Sequence, residues 1–353
     1  MWFERHVLFW IAAFLVFVAL LWLLHGILLP FVVGAALAYL LDPLAVRLTR
    51  HGMSRLVAAL VILAGFVIVF AGLCVLILPL LAAQLSAFIE NVPSYVHRLQ
   101  ALVGDHPWLK GILGNTADGS DKSVAALVNK SMGYLTDALP TLWTKGEALL
   151  SLFSLLVITP VVAVYLLADW DRVIGSFDDL IPLPQRDTVR NLVSDIDKAL
   201  SGYLHGQFLV CAILGAYYAI GLTLAGLSYG ALIGVVSGFL TFVPYVGSLT
   251  ALVVSFGVAL AQFFPDWSRV IIVIVIVLVG QFLEGNVLSP KLVGESVGLH
   301  PVWLIFALLA FGYLFGFVGL VLAVPLAAAA GVLTRFAVAR YRASALYTGN
   351  RPT

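Results

Sequence analysis

The stretch Gly226–Gly247, GLSYGALIGVVSGFLTFVPYVG, decides how this chain is read. Gly226, Gly230, Gly234 and Gly238 recur every fourth residue, so a helix would line them along one nearly flat face. In lipid, a small-xxx-small ladder lets a second helix approach to backbone contact and pack by dispersion. Thr241 follows the last rung. Pro244 then removes an N–H and collides with the turn before it, and Tyr245 leads to Gly247, which tolerates backbone angles closed to other residues. From Leu249 to Phe264 the sequence is again free of charge. An apolar helix interrupted in this way points to a site inside a transporter; the plainer alternative is a tight hairpin in a structural bundle.

Composition fixes the class. Hydrophobic residues make up 62% of the chain and charged residues 10%, against about 25% charged in soluble domains. Several runs reach the roughly 20 apolar residues needed to cross a hydrocarbon core about 30 Å thick. The fold class expected is all-α: a polytopic membrane helical bundle of about eight transmembrane segments, with interrupted helices and an amphipathic extramembrane hairpin. The net charge of +1 gives no basic patch for nucleic acid. Cys74 and Cys211 both lie in apolar runs and read as small hydrophobes rather than a disulfide pair. The N-terminal apolar run is too long for a signal peptide and lacks a cleavage site, so it reads as a retained first helix.

In chain order, residues 1–83 hold three transmembrane helices: Val7 to Leu29, a shorter one from Pro30 to Asp42-Pro43, and Leu56 to Ala83. Residues 84–147 carry apolar positions at helical spacing on both sides of the polar turn Gly114–Asp121, and read as an extracytoplasmic hairpin. Residues 148–168 form a fourth span. Residues 169–207 form a cytoplasmic amphipathic connector, in which Leu192, Val193, Ile196 and Leu200 share a face resting on the membrane surface or a neighbour. The block 208–336 holds spans five to eight. Span seven, Val270 to Leu283, is too short to cross, so its path continues into Glu284 and beyond; the last span is interrupted at Gly312, Gly316, Gly319 and Pro325. Residues 337–353 are a cytoplasmic tail. The Lys/Arg bias places both termini inside, with Arg47, Arg50, Arg55, Arg172, Arg335 and Arg340 in the cytoplasm and Arg98, Lys110, Lys122 and Lys130 outside.

Ionisable groups at bilayer depth cost about 2.5–3.5 kcal/mol at a helix centre on insertion scales, and so mark function. Here they gather in one segment, where Glu284 follows an apolar run, Lys291 comes two helical turns later, and Gln281 and Asn286 stand beside them. Such a set suits binding of a polar solute or relay of a proton; an interfacial loop is the alternative. His25 reads as an interfacial residue. Gly294–Gly298 (GESVG) with nearby His300 matches the G-x-S-x-G pattern of hydrolases, but no strand–turn–helix elbow surrounds it. No Walker A sequence, H-E-x-x-H or dinucleotide fingerprint is present. The chain is therefore expected to be no enzyme, to use no cofactor or metal, and to transport without ATP.

The wording of Asp42-Pro43, Leu166–Asp171 (LLADWD), Ser201–Gln207 (SGYLHGQ), Phe242–Gly247 (FVPYVG) and Glu284–Gly294 (EGNVLSPKLVG) resembles the autoinducer-2 exporter family of PerM-like permeases. The similarity covers essentially the whole chain. It implies an eight-span permease of the bacterial plasma (inner) membrane; export of the quorum-sensing signal autoinducer-2 has been assigned to some members and sodium(lithium)/proton antiport to others. Three expectations follow. The first is export of a small polar solute past Thr241, Pro244, Tyr245, Gly247, Gln281, Glu284, Asn286 and Lys291. The second is exchange of a monovalent cation for protons at Glu284. The third is a membrane scaffold assembling through its outer hairpin. In each the partners are the lipid bilayer and further copies of the chain in a homo-oligomer.

Overall fold

A computed structural model describes residues 23–105, 146–179, 181–293 and 300–344, with Val16, Leu20 and Tyr347. All regular elements among the described residues are helical. The α-helices are α1 (His25–Arg50), α2 (Arg55–Asp105), α3 (Gly146–Asp179), α4 (Arg186–Leu224), α5 (Gly230–Leu240), α6 (Val246–Phe263), α7 (Trp267–Leu283) and α8 (Pro301–Arg342). A π-helical segment, Glu284–Val293, continues α7. Most of the first expected span, the tip and second half of the outer hairpin, the GESVG segment and the end of the tail lie outside the described residues.

Six helical segments among the described residues are long and apolar enough to cross a membrane. Their outward faces carry large hydrophobics with no protein cover: Ile68 is 71% exposed, Val75 76% and Leu224 82%. Apolar surface on that scale is untenable in water and ordinary against lipid. At 51 residues, α2 is about 76 Å long, well beyond one hydrocarbon thickness. Its apolar part therefore runs on as one helix into the stretch expected to begin an extramembrane hairpin.

Several expected boundaries move. The break at Asp42-Pro43 is absent, because α1 carries both Pro30 and Pro43 inside it and ends at Arg50. Prolines are tolerated in membrane helices where the freed groups find other partners, and beside Pro30 the helix is tied to α3, the Thr159 hydroxyl donating to the Pro30 carbonyl at 3.2 Å. From Arg186 the second half of the amphipathic connector and the fifth span are one continuous helix, α4, while the first residues of the connector, to Asp179, continue α3. The glycine-ladder span divides into α5 and α6. Within α8 the reversal falls at one glycine: Gly316 has φ 59 and ψ −137. The chain doubles back there, bringing the Leu320 side chain to within 2.8 Å of where a Cβ on Gly312 would stand.

The chain folds as two compact units. Residues 1–66, 153–207 and 291–353 make the first. Its core packs Ala38, Leu41 and Ala45 of α1 against Ala59 and Ile62 of α2 and Leu167 of α3. Alanines dominate because dispersion in lipid rewards close helix approach, not side-chain volume. A second cluster sets Ala199 of α4, with Leu192 and Ile196, against Ala328 and Val332 of α8. The apolar face of the expected connector thus rests on a neighbouring helix. Beyond the apolar part of α3, Asp178 accepts hydrogen bonds from Arg190 at 2.7 and 2.5 Å and pairs with Arg186 at 2.8 Å. These bonds and the two guanidinium charges hold its carboxyl below the usual carboxylate range.

Residues 67–152 and 208–290 make the second unit. Val210, Leu214, Tyr218 and Leu222 recur every fourth residue along α4 and are buried. On this face lie the glycines of α5. A Cβ on Gly230 would stand 2.7 Å from the backbone of Leu222 and Thr223; on Gly234 it would collide with the backbone of Tyr218 and Ala219; on Gly238, with Gly215. Gly226 is not a rung: it sits in the α4–α5 turn at φ 76. The buried face of α7 is Val270, Val273, Val277 and Gly280. The α5 start is clamped by α2, where Gln84 accepts the Leu232 N–H at 2.9 Å and the Tyr229 hydroxyl donates to the Ala87 carbonyl at 3.1 Å.

Two outcomes follow. Gly234→Leu places a side chain where two backbones touch, so detergent-purified protein should lose its monodisperse elution and melt well below the parent. Asp178→Asn tests the ion cluster. A depressed folded pKa contributes stability in full above the unfolded carboxyl value near ~4, lost as pH falls through the folded value. The parent should therefore melt progressively lower on acidification below about pH 4, with this part of the slope missing in Asp178→Asn.

Candidate functional site

The break in the opening stretch has definite geometry. α5 ends at Leu240, and Thr241 is buried, its hydroxyl donating back to the Ser237 carbonyl at 2.9 Å. Side-chain back-bonding of this kind is common for Thr in apolar helices. Pro244 lies in the turn. Tyr245 adopts a left-handed conformation, φ 68 and ψ −26, and is 54% exposed. For a residue with a Cβ that conformation costs roughly 1–2 kcal/mol, and strain at a non-glycine position in a break gathers at functional segments. Gly247 starts the next helix pressed on Thr241, and a Cβ there would collide with the Thr241 backbone. This tight turn needs glycine at 247 for its fold as well as for any activity.

The second expected segment meets the first through α7. The Gln281 amide donates to the Ser248 carbonyl at 3.4 Å, so the end of α7 touches the first turn of α6. One turn further, Glu284 opens the π-helical segment, half-buried, within electrostatic range of Cys211 and Tyr218 of α4. π-helical turns gather at functional sites because each widens the helix and redirects its side chains. Asn286 is exposed and turns back, its amide donating to the Phe282 carbonyl at 3.1 Å. Lys291 is exposed at the far end of the segment. Thus Thr241, Pro244, Tyr245, Gly247, Gln281 and Glu284 fall within one unit, with Ser248 as the hinge between the two breaks. Neither Asn286 nor Lys291 forms a hydrogen bond or ion pair to those residues among the described ones.

Buried serines went unread in the sequence. Ser237 of α5 and Ser255 of α6 are fully buried, and their hydroxyls have no hydrogen-bond partner among the described residues. No pattern distinguishes them from other small residues in apolar helices, so only packing reveals them.

The first unit holds a polar cluster of its own. Tyr39 of α1 donates to Asp197 of α4 at 2.7 Å. Asp42 pairs with Arg55 at 3.1 Å, whose Nε donates to the Leu167 carbonyl at 3.0 Å. A cavity of about 160 Å³ lies there, walled by Tyr39, Asp42, Trp170, Asp197 and Ser201. Three quoted motif segments, Asp42-Pro43, LLADWD and SGYLHGQ, converge on this cluster. His300, beside the GESVG segment, caps α8 by accepting the Val302 N–H at 3.3 Å. That bond occupies the lone pair a hydrolase base would need.

Comparison with known proteins settles the family. The family described as AI-2E family transporter matches residues 11–338. The chain belongs to this family. It is 29% identical over 323 residues to "Putative transport protein YrrI" of Bacillus subtilis (strain 168), covering 88% of this chain and 87% of that one. It is 29% identical over 306 residues to "Putative permease PerM" of Escherichia coli (strain K12), covering 86% and 85%. To "Putative transport protein YueF" of Bacillus subtilis (strain 168) it is 26% identical over 303 residues, covering 84% and 80%. This AI-2E family member is a multi-pass membrane transporter.

The two strained tyrosines separate fold from function. Tyr229, at φ 62, packs edge-on to Phe88 and Tyr95; among the described residues the exposed Tyr245 ring is held by no comparable cluster. Tyr245→Gly relieves backbone strain and should melt within about 1 kcal/mol of the parent, or above it, while transport falls. Tyr229→Gly should melt lower, as the clamp on α2 is lost.

Proposed function

We propose that this transporter exports a small polar solute of the autoinducer-2 kind, without ATP, along a path through its second unit between the α5–α6 break and the α7 π-segment. The observation that carries the reading is the Gln281–Ser248 hydrogen bond, which draws two interrupted elements to one place. Tyr245 and Gln281 supply a hydroxyl and an amide for a polar guest, Thr241 and Gly247 hold the turn that presents them, and Glu284 stands at the edge as its charged neighbour. Asn286 lies further along the same segment; Lys291 belongs to the first unit and is not part of this path. Plasma-membrane location belongs to this proposal and rests on the family resemblance; the placement of both termini in the cytoplasm rests on the Lys/Arg bias.

A second reading has its own support. Glu284 is half-buried in a segment of 27 residues apolar enough to span a membrane, the setting in which carboxylates exchange protons for cations. In this case the cargo is a monovalent cation.

Inverted vesicles carrying the protein should accumulate labelled autoinducer-2 above vesicles lacking it. Gln281→Leu should lower the initial rate by about tenfold, the effect of one lost polar contact. Uptake equal to empty vesicles rejects that solute. For the cation reading, Glu284→Gln should abolish sodium-driven proton movement; unchanged movement rejects it.

A further inference from the structure

A groove of about 560 Å³ lies in the first unit between the start of α4 and the end of α8. Its polar wall is Thr188, Asn191, Asp195 and Lys198 of α4, and its other wall carries Arg335 and Phe336 of α8. The floor is the apolar contact of Leu192 and Ala199 with Val332.

The two walls share a boundary in the sequence. On α4, Lys198 is the last Asp, Glu, Lys or Arg before an uncharged stretch that lasts to the end of the helix at Leu224. On α8, Arg335 is the first such residue after an uncharged stretch that begins at Pro301. Two helices thus pass from charged to uncharged at the same groove, so it opens where hydrocarbon gives way to water. Phospholipid phosphates sit at that level, and a Lys or Arg near an anionic surface attracts it.

Charge and shape fit such a guest. Asp195 lies 3.6 Å from Lys198 in an exposed pair, too weak to sequester the ammonium. Among the described residues no ion pair engages Arg335. Guanidinium groups match phosphate oxygens in a planar two-bond fork. Below the charges, the apolar floor of Leu192, Ala199 and Val332 offers a surface to the start of an acyl chain, while the Phe336 ring is backed by Arg340 at 5.8 Å.

We infer that this groove binds the phosphate of an anionic phospholipid, with Arg335 and Lys198 as its cations and Asn191 and Thr188 as hydrogen-bond donors. The site is separate from the proposed solute path and stands whether or not that reading holds.

The test uses the full chain purified in detergent and titrated with acyl-labelled phosphatidylglycerol or phosphatidylcholine, read by fluorescence anisotropy. Phosphatidylglycerol should bind more tightly. Arg335→Gln and Lys198→Gln should each weaken it about fivefold, the share of one interfacial cation, and Asp195→Asn should strengthen it. Asn191→Trp, which fills the groove and leaves every charge in place, should also weaken it; Arg50→Gln, a basic residue elsewhere, should not. Elution and melting of each variant report folding, and the opposite signs of Asp195→Asn and Arg335→Gln guard against a general loss. Equal binding of both lipids, or phosphatidylglycerol binding indifferent to all four groove substitutions, overturns the inference. Displacement of the lipid by millimolar inorganic phosphate would make the ligand a soluble phosphate and overturn the lipid assignment.

Discussion

The structure of the second unit depends on backbone pressed against backbone. Gly230, Gly234 and Gly238 of α5 meet Leu222, Tyr218–Ala219 and Gly215 of α4 with no room for a Cβ at any rung. Lipid removes most of the hydrophobic incentive for helices to associate, so this close approach must supply the attraction through dispersion. With α5 fixed on α4, the chain must still turn within a few residues to begin α6. That turn is where Thr241, Pro244, Tyr245 and Gly247 are found.

The break follows from the ladder. An 11-residue helix rises only about 16 Å, roughly half the hydrocarbon core. The backbone groups freed at its end need partners that lipid cannot offer. Turn bonds meet part of this need, the Phe242 and Val243 N–H groups donating to the Phe239 and Leu240 carbonyls at 3.2 and 3.0 Å, and Gly247 lets the next helix start in contact with Thr241. Gln281 reaches the first turn of that helix from α7. Irregular backbone at membrane depth persists where it is buried in protein or lines a water-filled cavity.

Much of this was legible in the residues, and the failures have physical causes. Three rungs of the ladder were readable because a four-residue period on an apolar run has one geometric meaning. The fourth, Gly226, shares the period but lies in a turn, since spacing alone does not mark where a helix begins. Span seven was rightly judged too short, and α7 continues into the π-segment as its length required. Pro30 and Pro43 misled because the rule that proline ends a helix comes from water, where freed carbonyls are readily solvated. In the sequence Asp42 marks only the end of a span and Arg55 only a cytoplasmic charge; 13 residues apart, they pair in the fold. Ser237 and Ser255 left no trace in the pattern, because burial of a small hydroxyl is set by tertiary packing.

The first unit shows the same chemistry used differently. Its helices approach in part through alanines, and two of its acidic groups are matched by arginines: Asp42 by Arg55 and Asp178 by Arg186 and Arg190. The central claim lies in the second unit, that two interrupted helices leave polar groups open to water inside an apolar segment. The most direct measurement is thiol labelling of Tyr245→Cys and Gln281→Cys, each in a Cys74→Ser, Cys211→Ser background, in reconstituted vesicles. Both cysteines should react with a charged, membrane-impermeant maleimide at rates that a transported solute lowers. Reaction only with a lipid-soluble maleimide would mean that these positions face hydrocarbon, and would contradict the account.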